Sequence, residues 1–289
     1  RLAQEALAKE YGIHGFCYYH YWFNGKRILN EPLDRKLNNK KEDFPFMLCW
    51  ANENWTRAWD GGINDILFKQ NYSEDDDLAH IQFLISRFKD ERYIKVNGKP
   101  FFIFYKPDLF PNMARTIEIF REEAKKEGLE LYLGCFQRWI GMEKEEMQDY
   151  DFDAIIEFQP LSKSLQVYKS HKNNIVKPTK LERIITKIKR KFKLDSNGVK
   201  HSDFIVDYKD FIDFDIQYSN PGVYPGVCPM WDNSSRRVGQ NAIIIKNSTP
   251  KDFKYWYQEK TKKSNFKDLE DKFIFINAWN LFFDIWMLK

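Results

Sequence analysis

Apolar residues recur along the chain in short runs that are typical of buried β-strands. Seven such runs lie at 15–22, 44–50, 101–107, 130–136, 153–158, 226–231 and 273–279. Segments with helical spacing separate most of them, and this alternation favours a parallel sheet covered by helices. A further helical segment opens the chain, and Gly12 is well suited to end it.

Three of the helical segments carry clear end signals. The segment 73–90 has a capping box formed by Ser73 and Asp76, followed by an apolar stripe. The segment 111–128 closes at a glycine, and 250–262 follows Thr249 as its cap. The acids Asp75 to Asp77, which resemble a metal-binding DxD element, therefore fall in a first helical turn that favours negative charge.

The number of strands predicts the fold class. Seven strands and an orphan first helix become an eight-stranded (β/α)8 TIM-like barrel if one strand lies upstream of Arg1. We therefore expect an α/β barrel that is incomplete at its start, with 1–289 as a single carbohydrate-active domain. An open doubly wound sheet is the alternative, although no glycine-rich turn follows the early strands.

A basic insert at 161–220 interrupts the strand–helix rhythm. Its first part, 161–200, holds twelve Lys or Arg and two acids, whereas the whole chain has a formal charge of only +4. Residues 180–192 are predicted to form a basic amphipathic helix that could lie on an anionic membrane surface. The alternative is a solvated helix that packs on the barrel.

The carboxyl ends of the predicted strands carry most of the chain's aromatic and polar side chains. Ligands of parallel sheets bind at this edge, where aromatic faces stack on sugars and amides, carboxylates and guanidinium groups bind hydroxyls. Aromatic residues make up 17% of the chain, more than a core of this size needs. The predicted substrate-binding residues are Tyr19, His20, Trp22, Trp50, Asn52, Trp55, Arg57, Tyr105, Glu157, Trp231, Asp232, Asn233, Arg236, Asn277, Trp279 and Asn280. Tyr21, Lys106, Gln137 and Arg138 lie at the same strand ends without being singled out.

Other kinds of chemistry find little support in the sequence. No cluster has metal-ligand spacing, so neither a metal nor another cofactor is expected. The four cysteines are far apart and are interpreted as buried reduced thiols. An isolated histidine such as His20 is as well explained by a structural role as by ligand contact. No signal peptide or 18-residue apolar run is visible, and the start at Arg1 rather than Met suggests a piece of a longer protein.

Several longer blocks resemble one family over nearly the whole chain outside the basic insert. The blocks at 15–34, 45–61, 88–107, 231–237 and 275–280, including CWANENW at 49–55, resemble the WbsX-type glycosyltransferases. That resemblance implies a place in bacterial lipopolysaccharide, O-antigen or capsule gene clusters. It also implies kinship with the endo-α-mannosidases of glycoside hydrolase family 99, which are (β/α)8 barrels.

The last block departs from the family pattern. The family usually continues Asn-Ala-Trp-Asn with Glu-Trp-Ala-Glu-Gly, and these glutamates correspond to the catalytic pair of the family 99 hydrolases. Here Leu281 takes the place of the first glutamate and Asp284 that of the second. Truncation by a frameshift is the favoured explanation, and true divergence is the alternative. Glu53 and Asp284 remain as the candidate catalytic carboxylates.

Three functions remain open at this level. The favoured function is glycosyl transfer or glycosidic-bond cleavage in surface-polysaccharide synthesis, with an oligosaccharide or a glycosyl donor and acceptor as partners. The protein would be cytoplasmic, with peripheral contact to the inner membrane through the basic insert. A catalytically impaired sugar-binding remnant is the second function. A nucleic-acid binder ranks last, because the positive charge is not interleaved with the aromatic motifs.

Overall fold

The computed structural model describes residues 1–57, 62–138, 141, 143–175, 203–218, 220–236, 242–263, 272–277 and 285–288. Its helices are α1 (Leu2–Glu10), α2 (Glu31–Asn38), α3 (Glu74–Phe88), α4 (Met113–Lys126), α5 (Lys144–Gln148), α6 (Lys163–Ile175), α7 (Tyr208–Gln217) and α8 (Pro250–Lys263). Short 3-10 helices lie at Pro107–Leu109 and Ser234–Arg236. Its strands are β1 (Gly15–Phe23), β2 (Lys26–Ile28), β3 (Phe46–Trp50), β4 (Trp55–Arg57), β5 (Gly62–Phe68), β6 (Lys95–Val96), β7 (Lys99–Phe104), β8 (Tyr132–Gln137), β9 (Ala154–Glu157), β10 (Phe204–Asp207), β11 (Gly226–Val227), β12 (Trp231–Asp232), β13 (Ile243–Lys246), β14 (Ile274–Asn277) and β15 (Ile285–Leu288).

The main sheet is largely parallel. Its path runs β11-β14-β15-β1-β3-β7-β8-β9, and β1, β3, β7, β8 and β9 pair in parallel along it. These five strands are buried nearly throughout, as expected when helices cover such a sheet. The predicted α/β class with a parallel sheet is therefore confirmed.

One strand of the main sheet runs the other way. β15 lies between β14 and β1 and is antiparallel to both, on the edge of β1 that does not pair with β3. Only the seven residues 278–284 separate β15 from β14, and a parallel return needs a crossover of a dozen or more residues. The short connection therefore dictates the antiparallel pairing. At the other end of the path, Ile156 in β9 forms a parallel bridge with Tyr224, just before β11.

Two Asn-Gly pairs build tight hairpins on this sheet. Asn24 and Gly25 both have positive φ and join β1 to β2, and Asn97 and Gly98 do the same between β6 and β7. Two-residue turns with both residues left-handed match the twist of the flanking strands. The sequence carried this signal at both places, although the strand prediction did not use it.

A second, smaller sheet differs from the prediction. Its order is β10-β13-β12, so the single predicted strand 226–231 divides into β11 of the main sheet and the start of β12 here. β10, α6 and α7 lie within the predicted insert 161–220, whereas its residues 176–202 and 219, including the predicted basic helix, are outside the described residues. Tyr168 and Phe211 pack together in the core beneath this sheet, so both ends of the insert belong to the fold.

The predicted helix ends are largely confirmed. The Ser73 hydroxyl accepts a hydrogen bond from the amide of Asp76 at 3.2 Å, and the Thr249 hydroxyl accepts one from the amide of Asp252 at 3.1 Å.

One large core joins β1, β3, β7 and β8 to α3 and α4, and a second lies under α7 and α8. All four cysteines are buried thiols, and none forms a disulfide, as predicted.

Candidate functional site

Aromatic side chains from three strand ends meet above the main sheet. The rings of Tyr19 in the second half of β1 and Tyr105 after β7 are nearly perpendicular, with centroids 5.7 Å apart. Tyr21 and Trp55 form a second perpendicular pair at 4.9 Å. All four side chains are half-buried, so each packs on the protein and still presents part of its surface. We call these four residues the aromatic cluster.

An ion pair lies beside the aromatic cluster. Glu53, in the loop after β3, contacts the ammonium of Lys106, in the loop after β7. The Glu53 side chain is 43% exposed and that of Lys106 is 22% exposed. Of the two predicted catalytic carboxylates, Glu53 thus lies where solvent or a ligand can reach it. Asp284 lies outside the described residues.

Asn52 fixes the loop that carries this ion pair. Its buried amide donates to the carbonyl of Lys106 at 2.7 Å and accepts the Lys106 amide at 2.8 Å. The Tyr72 hydroxyl donates to the Asn52 carbonyl at 2.7 Å. Asn52 was predicted to bind a sugar hydroxyl. Its side chain instead forms hydrogen bonds with the backbone of Lys106.

A second ion pair flanks Tyr105 on the side of β8. Arg138 donates to Asp108 at 2.9 Å, and its guanidinium carbon lies 5.2 Å from the Tyr105 ring centroid. The ammonium of Lys106 lies 5.7 Å from the same ring. Burial, and secondarily the negative charge of Glu53, raise the pKa of Tyr105 above its ordinary value. Tyr105 is therefore a protonated ring with a cation near it from each of two strand ends.

Three predicted contacts lie on the other face of the sheet. His20, Trp22 and Trp50 are buried against α3, where Trp22 stacks on His80 at 4.6 Å and Trp50 meets the edge of the same ring at 4.3 Å. Side chains alternate between faces along a strand, so Tyr19 and His20 cannot both face one site. With their rings covered by the protein itself, these three residues are separated from the aromatic cluster.

His20 makes a specific contact in this buried layer. Its Nε2 lies 3.0 Å from the Nε2 of His80, so one imidazole donates and the other accepts. Burial, with smaller effects of Arg27 and Arg87, lowers the pKa of His20 to about 3. Burial, followed by His20, lowers the pKa of His80 well below its ordinary value. Both rings are therefore neutral near pH 7, which fits a structural pair.

Glu157 belongs to a sealed ionic cluster behind β9. Lys260 of α8 lies 2.8 Å from Glu157 and 2.9 Å from Asp215 of α7, and all three are buried. Gln159 and Trp256 also donate to Asp215, at 3.0 and 2.8 Å. Although burial disfavours the ammonium, the carboxylates of Asp215 and Glu157 raise the pKa of Lys260 above its ordinary value. We call these five residues the sealed cluster.

The remaining predicted residues are spread over other parts of the molecule. Asn277 donates to the carbonyl of Gln159, and Asn233 accepts the Ile243 amide at 2.8 Å, so both are committed to backbone contacts. Trp231 is buried in the second core, whereas Asp232 and Arg57 are exposed. Trp279, Asn280 and the side chain of Arg236 lie outside what the structure describes.

The structure adds four residues to those that the sequence singled out. Tyr21, Lys106 and Arg138 lie at predicted strand ends, and this position was sufficient to identify them from the sequence. Asp108 lies in the 3-10 helix Pro107–Leu109 and is recognised only through its contact with Arg138.

Among the described residues, no group of three or more His, Cys, Asp or Glu side chains is arranged to hold a metal ion. No helix in the described ranges is long and apolar enough to span a membrane.

Comparison with known proteins identifies the family. No solved structure matches the chain. Two proteins of Xanthomonas campestris pv. campestris, both named uncharacterized protein WxcX, are similar to it: that of strain ATCC 33913 is 32% identical over 282 residues and that of strain B100 is 31% identical over 280 residues. Each match covers 96% of this chain, and the chain spans 37% of the length of each relative. The model of the family described as Glycosyltransferase WbsX matches residues 1–285, and the chain therefore belongs to the WbsX glycosyltransferase family.

Proposed function

We propose that this chain binds and transforms a glycosyl unit during polysaccharide biosynthesis, in a site formed by the aromatic cluster and Glu53. The observation that carries the proposal is the meeting of Tyr19, Tyr105 and Trp55 with the exposed Glu53–Lys106 pair at the carboxyl ends of parallel strands. Stacking surfaces hold the apolar faces of a sugar, and a carboxylate in reach serves as acid or base. Membership of a glycosyltransferase family supports the same reading.

In this proposal the roles of the predicted residues divide by their position. Tyr19, Trp55 and Tyr105 stack on the sugar, and Glu53 exchanges a proton with the reacting oxygen, with Lys106 as its ion-pair partner. Asn52 and Asn277 position backbone, and His20, Trp22, Trp50 and Glu157 hold the sheet to its helices. Asp284, Trp279 and Asn280 remain predicted contributors from the other side of the edge.

The finer fold assignment is also a proposal. We propose a closed (β/α)8-type barrel in which β15 stands between β14 and β1. The bridge between Ile156 and Tyr224 supports closure, because it links β9 to the segment that leads into β11. The kinship with glycoside hydrolase family 99, a role in lipopolysaccharide or O-antigen synthesis, and cytoplasmic contact with the inner membrane through the basic insert remain predictions.

Sugar binding is tested with ligand-observed NMR. Oligomannose, common hexoses and their nucleotide-activated forms are screened against the protein, and each sugar that binds is titrated against Trp55→Ala. We expect Trp55→Ala to weaken binding about five- to tenfold, because loss of one aromatic stacking surface costs roughly 1–1.5 kcal/mol. Tyr11→Ala, which changes an exposed ring directly after α1, should leave binding unchanged. Equal binding by wild type and Trp55→Ala, or no sugar binding at all, contradicts the proposed site.

Catalysis is tested separately on any sugar that binds. Glu53→Gln should lower turnover roughly 100-fold or more, the usual contribution of a positioned acid or base, with little change in sugar affinity. Glu127→Gln is the matched control, since Glu127 pairs with Lys89 at 2.8 Å on the far surface. Unchanged turnover in Glu53→Gln removes Glu53 from the chemistry. Sugar binding without turnover by the wild type instead supports the binding remnant, which the Leu281 substitution favours.

A further inference from the structure

We infer that the proposed sugar site selects substrates that carry an oxyanion, a phosphate or carboxylate, and that Arg138 and Lys106 recognise it. The inference rests on the proposed function and specifies its substrate class. Neither residue was singled out in the sequence, and family membership alone does not assign an anion to this edge. The argument depends on where the two cations lie, how they are covered, and which of their hydrogen-bond donors are unused.

The two cations converge on one ring from neighbouring loops. Lys106 follows β7 and Arg138 follows β8, and their charged groups lie 5.7 and 5.2 Å from the centroid of Tyr105. A sugar stacked beside Tyr105 therefore has positive charge on two sides. Cations near an aromatic face are partly stabilised by the ring, so they can stay in place when their ion-pair partners move.

Each cation is less exposed than the carboxylate that pairs with it. Arg138 is 13% exposed and Asp108 28%, while Lys106 is 22% exposed and Glu53 43%. The positive groups thus form the deeper layer beside Tyr105, and the carboxylates lie nearer to solvent. A ligand oxyanion that approaches the ring meets the cations, and Asp108, which is more exposed than Arg138, can move into water to admit it.

Arg138 retains a hydrogen-bond donor for such a ligand. Its Nη2 is used by Asp108, but its Nε is buried and has no partner among the described residues. A buried donor without a partner destabilises the protein, and the penalty is larger when the group is charged. The planar guanidinium binds phosphate or carboxylate through two parallel hydrogen bonds, and an oxygen at Nε would complete that geometry.

The loop after β8 is shaped around this arginine. Gly141 has φ of +145°, and a Cβ there would lie 3.2 Å from Nη2 of Arg138 and 3.4 Å from Oδ1 of Asp108. Any larger residue at 141 would therefore press on the pair. The backbone approaches the guanidinium as closely as a glycine permits, which limits its rotamers and preorganises it for one ligand direction.

The test compares matched neutral and anionic sugars on the whole chain. Glucose, galactose and mannose are titrated beside their 1-phosphates, glucuronic and galacturonic acids, and inorganic phosphate, at low and at high salt. We expect at least one sugar phosphate or uronic acid to bind about tenfold or more tightly than its neutral parent, since charge-assisted bonds are about twice as strong as neutral ones. The advantage should shrink at high salt. The phosphate and uronic-acid arms distinguish the two sources of the oxyanion.

The variants assign the preference to these residues. Arg138→Gln should abolish the anion preference and keep neutral-sugar binding, and Arg138→Lys, which retains charge without the planar fork, should reduce it. Arg115→Gln, which changes an arginine paired with Glu74 on the outer face of α4, is the control and should keep it. Thermal unfolding of each variant establishes that it is folded. Equal affinity for neutral and anionic sugars in the wild type, or a preference that survives in both Arg138→Gln and Lys106→Met, overturns the inference. Neutral-sugar binding that depends on Trp55 would still stand as support for the proposed function.

Discussion

Two lysine–carboxylate clusters at the carboxyl ends of the main sheet differ in one decisive respect. Lys106 and Glu53 lie in loops above β7 and β3, and both remain partly exposed. Lys260, Glu157 and Asp215 join β9 to two helices, and all three are buried. The residue types are the same, yet only the first cluster can be reached by a ligand.

This difference shows that a position at a strand end is not sufficient to make a site residue. Glu157 is the last residue of β9, but its side chain points to α8 and its charge is neutralised by Lys260. Glu53 lies beyond the end of β3, and its side chain is 43% exposed. The face of the strand and the elements that cover it decide whether an ion pair is buried or remains accessible to solvent.

The strongest test of the comparison removes the lysine of the sealed cluster. Lys260→Met leaves two buried carboxylates without their cation, and we expect it to lower the free energy of unfolding by roughly 3–5 kcal/mol. Urea unfolding at pH 7 measures the change. Adding Glu157→Gln to Lys260→Met should recover part of the loss, because one unpaired charge is removed. A loss below about 1 kcal/mol for Lys260→Met would contradict the structural role.

A second test uses the other sealed polar pair, His20 and His80. Because their pKa values are lowered on folding, unfolded histidines bind protons that the native ones do not, and stability falls as the pH drops from about 6.5 toward 3. At pH 5 each histidine should cost roughly 2 kcal/mol relative to pH 7. His20→Gln should therefore lose less stability than the wild type between pH 7 and pH 5 in urea unfolding.

The histidine test has a control on the surface. His171 lies on an exposed position of α6, so His171→Gln should keep the full acid sensitivity of the wild type. Asp77 acts in the opposite direction, since burial raises its pKa to about 6 and its protonation favours the folded state. Each variant retains Asp77, so the difference between variants isolates the histidine. Identical pH dependence in His20→Gln and wild type would contradict the neutral buried pair.

The smallest effect on stability is expected for the partly exposed ion pair of Lys106 and Glu53. Lys106→Met removes a partly exposed ion pair, and such pairs contribute roughly 0–1 kcal/mol. The variant should therefore unfold at nearly the wild-type urea concentration while losing anion binding. A stability loss close to that of Lys260→Met would show that both clusters are structural and would remove the contrast between them.

Much of the fold could be predicted because its signals are local. The buried strands are continuous apolar runs, and Ser73 and Thr249 cap α3 and α8 as their sequences indicate. The division of 226–231 between two sheets was not predictable, because both halves are short and apolar and only their pairing partners differ. The direction of β15 follows from the length of its connection, once its partners are known.

The candidate site could be predicted only in outline. Tyr19, Trp55, Tyr105 and Glu53 were found from residue type and strand-end position. The same criteria also selected His20, Trp22 and Trp50, because a strand prediction whose ends are uncertain by a residue does not fix which side chains face the helices. Asp108 escaped notice, since nothing in its local sequence indicates a contact 30 residues away.

The sequence by itself determined the family, the parallel α/β class and the edge of the sheet at which chemistry is expected, since these depend on residue order and apolar periodicity. Only the tertiary structure decided which polar groups at that edge are sealed and which are open. Burial of Lys260 and exposure of Glu53 depend on helices and loops distant in sequence. The free energy of a charged group is set by the neighbours that replace its water, and these neighbours are brought together only by the fold.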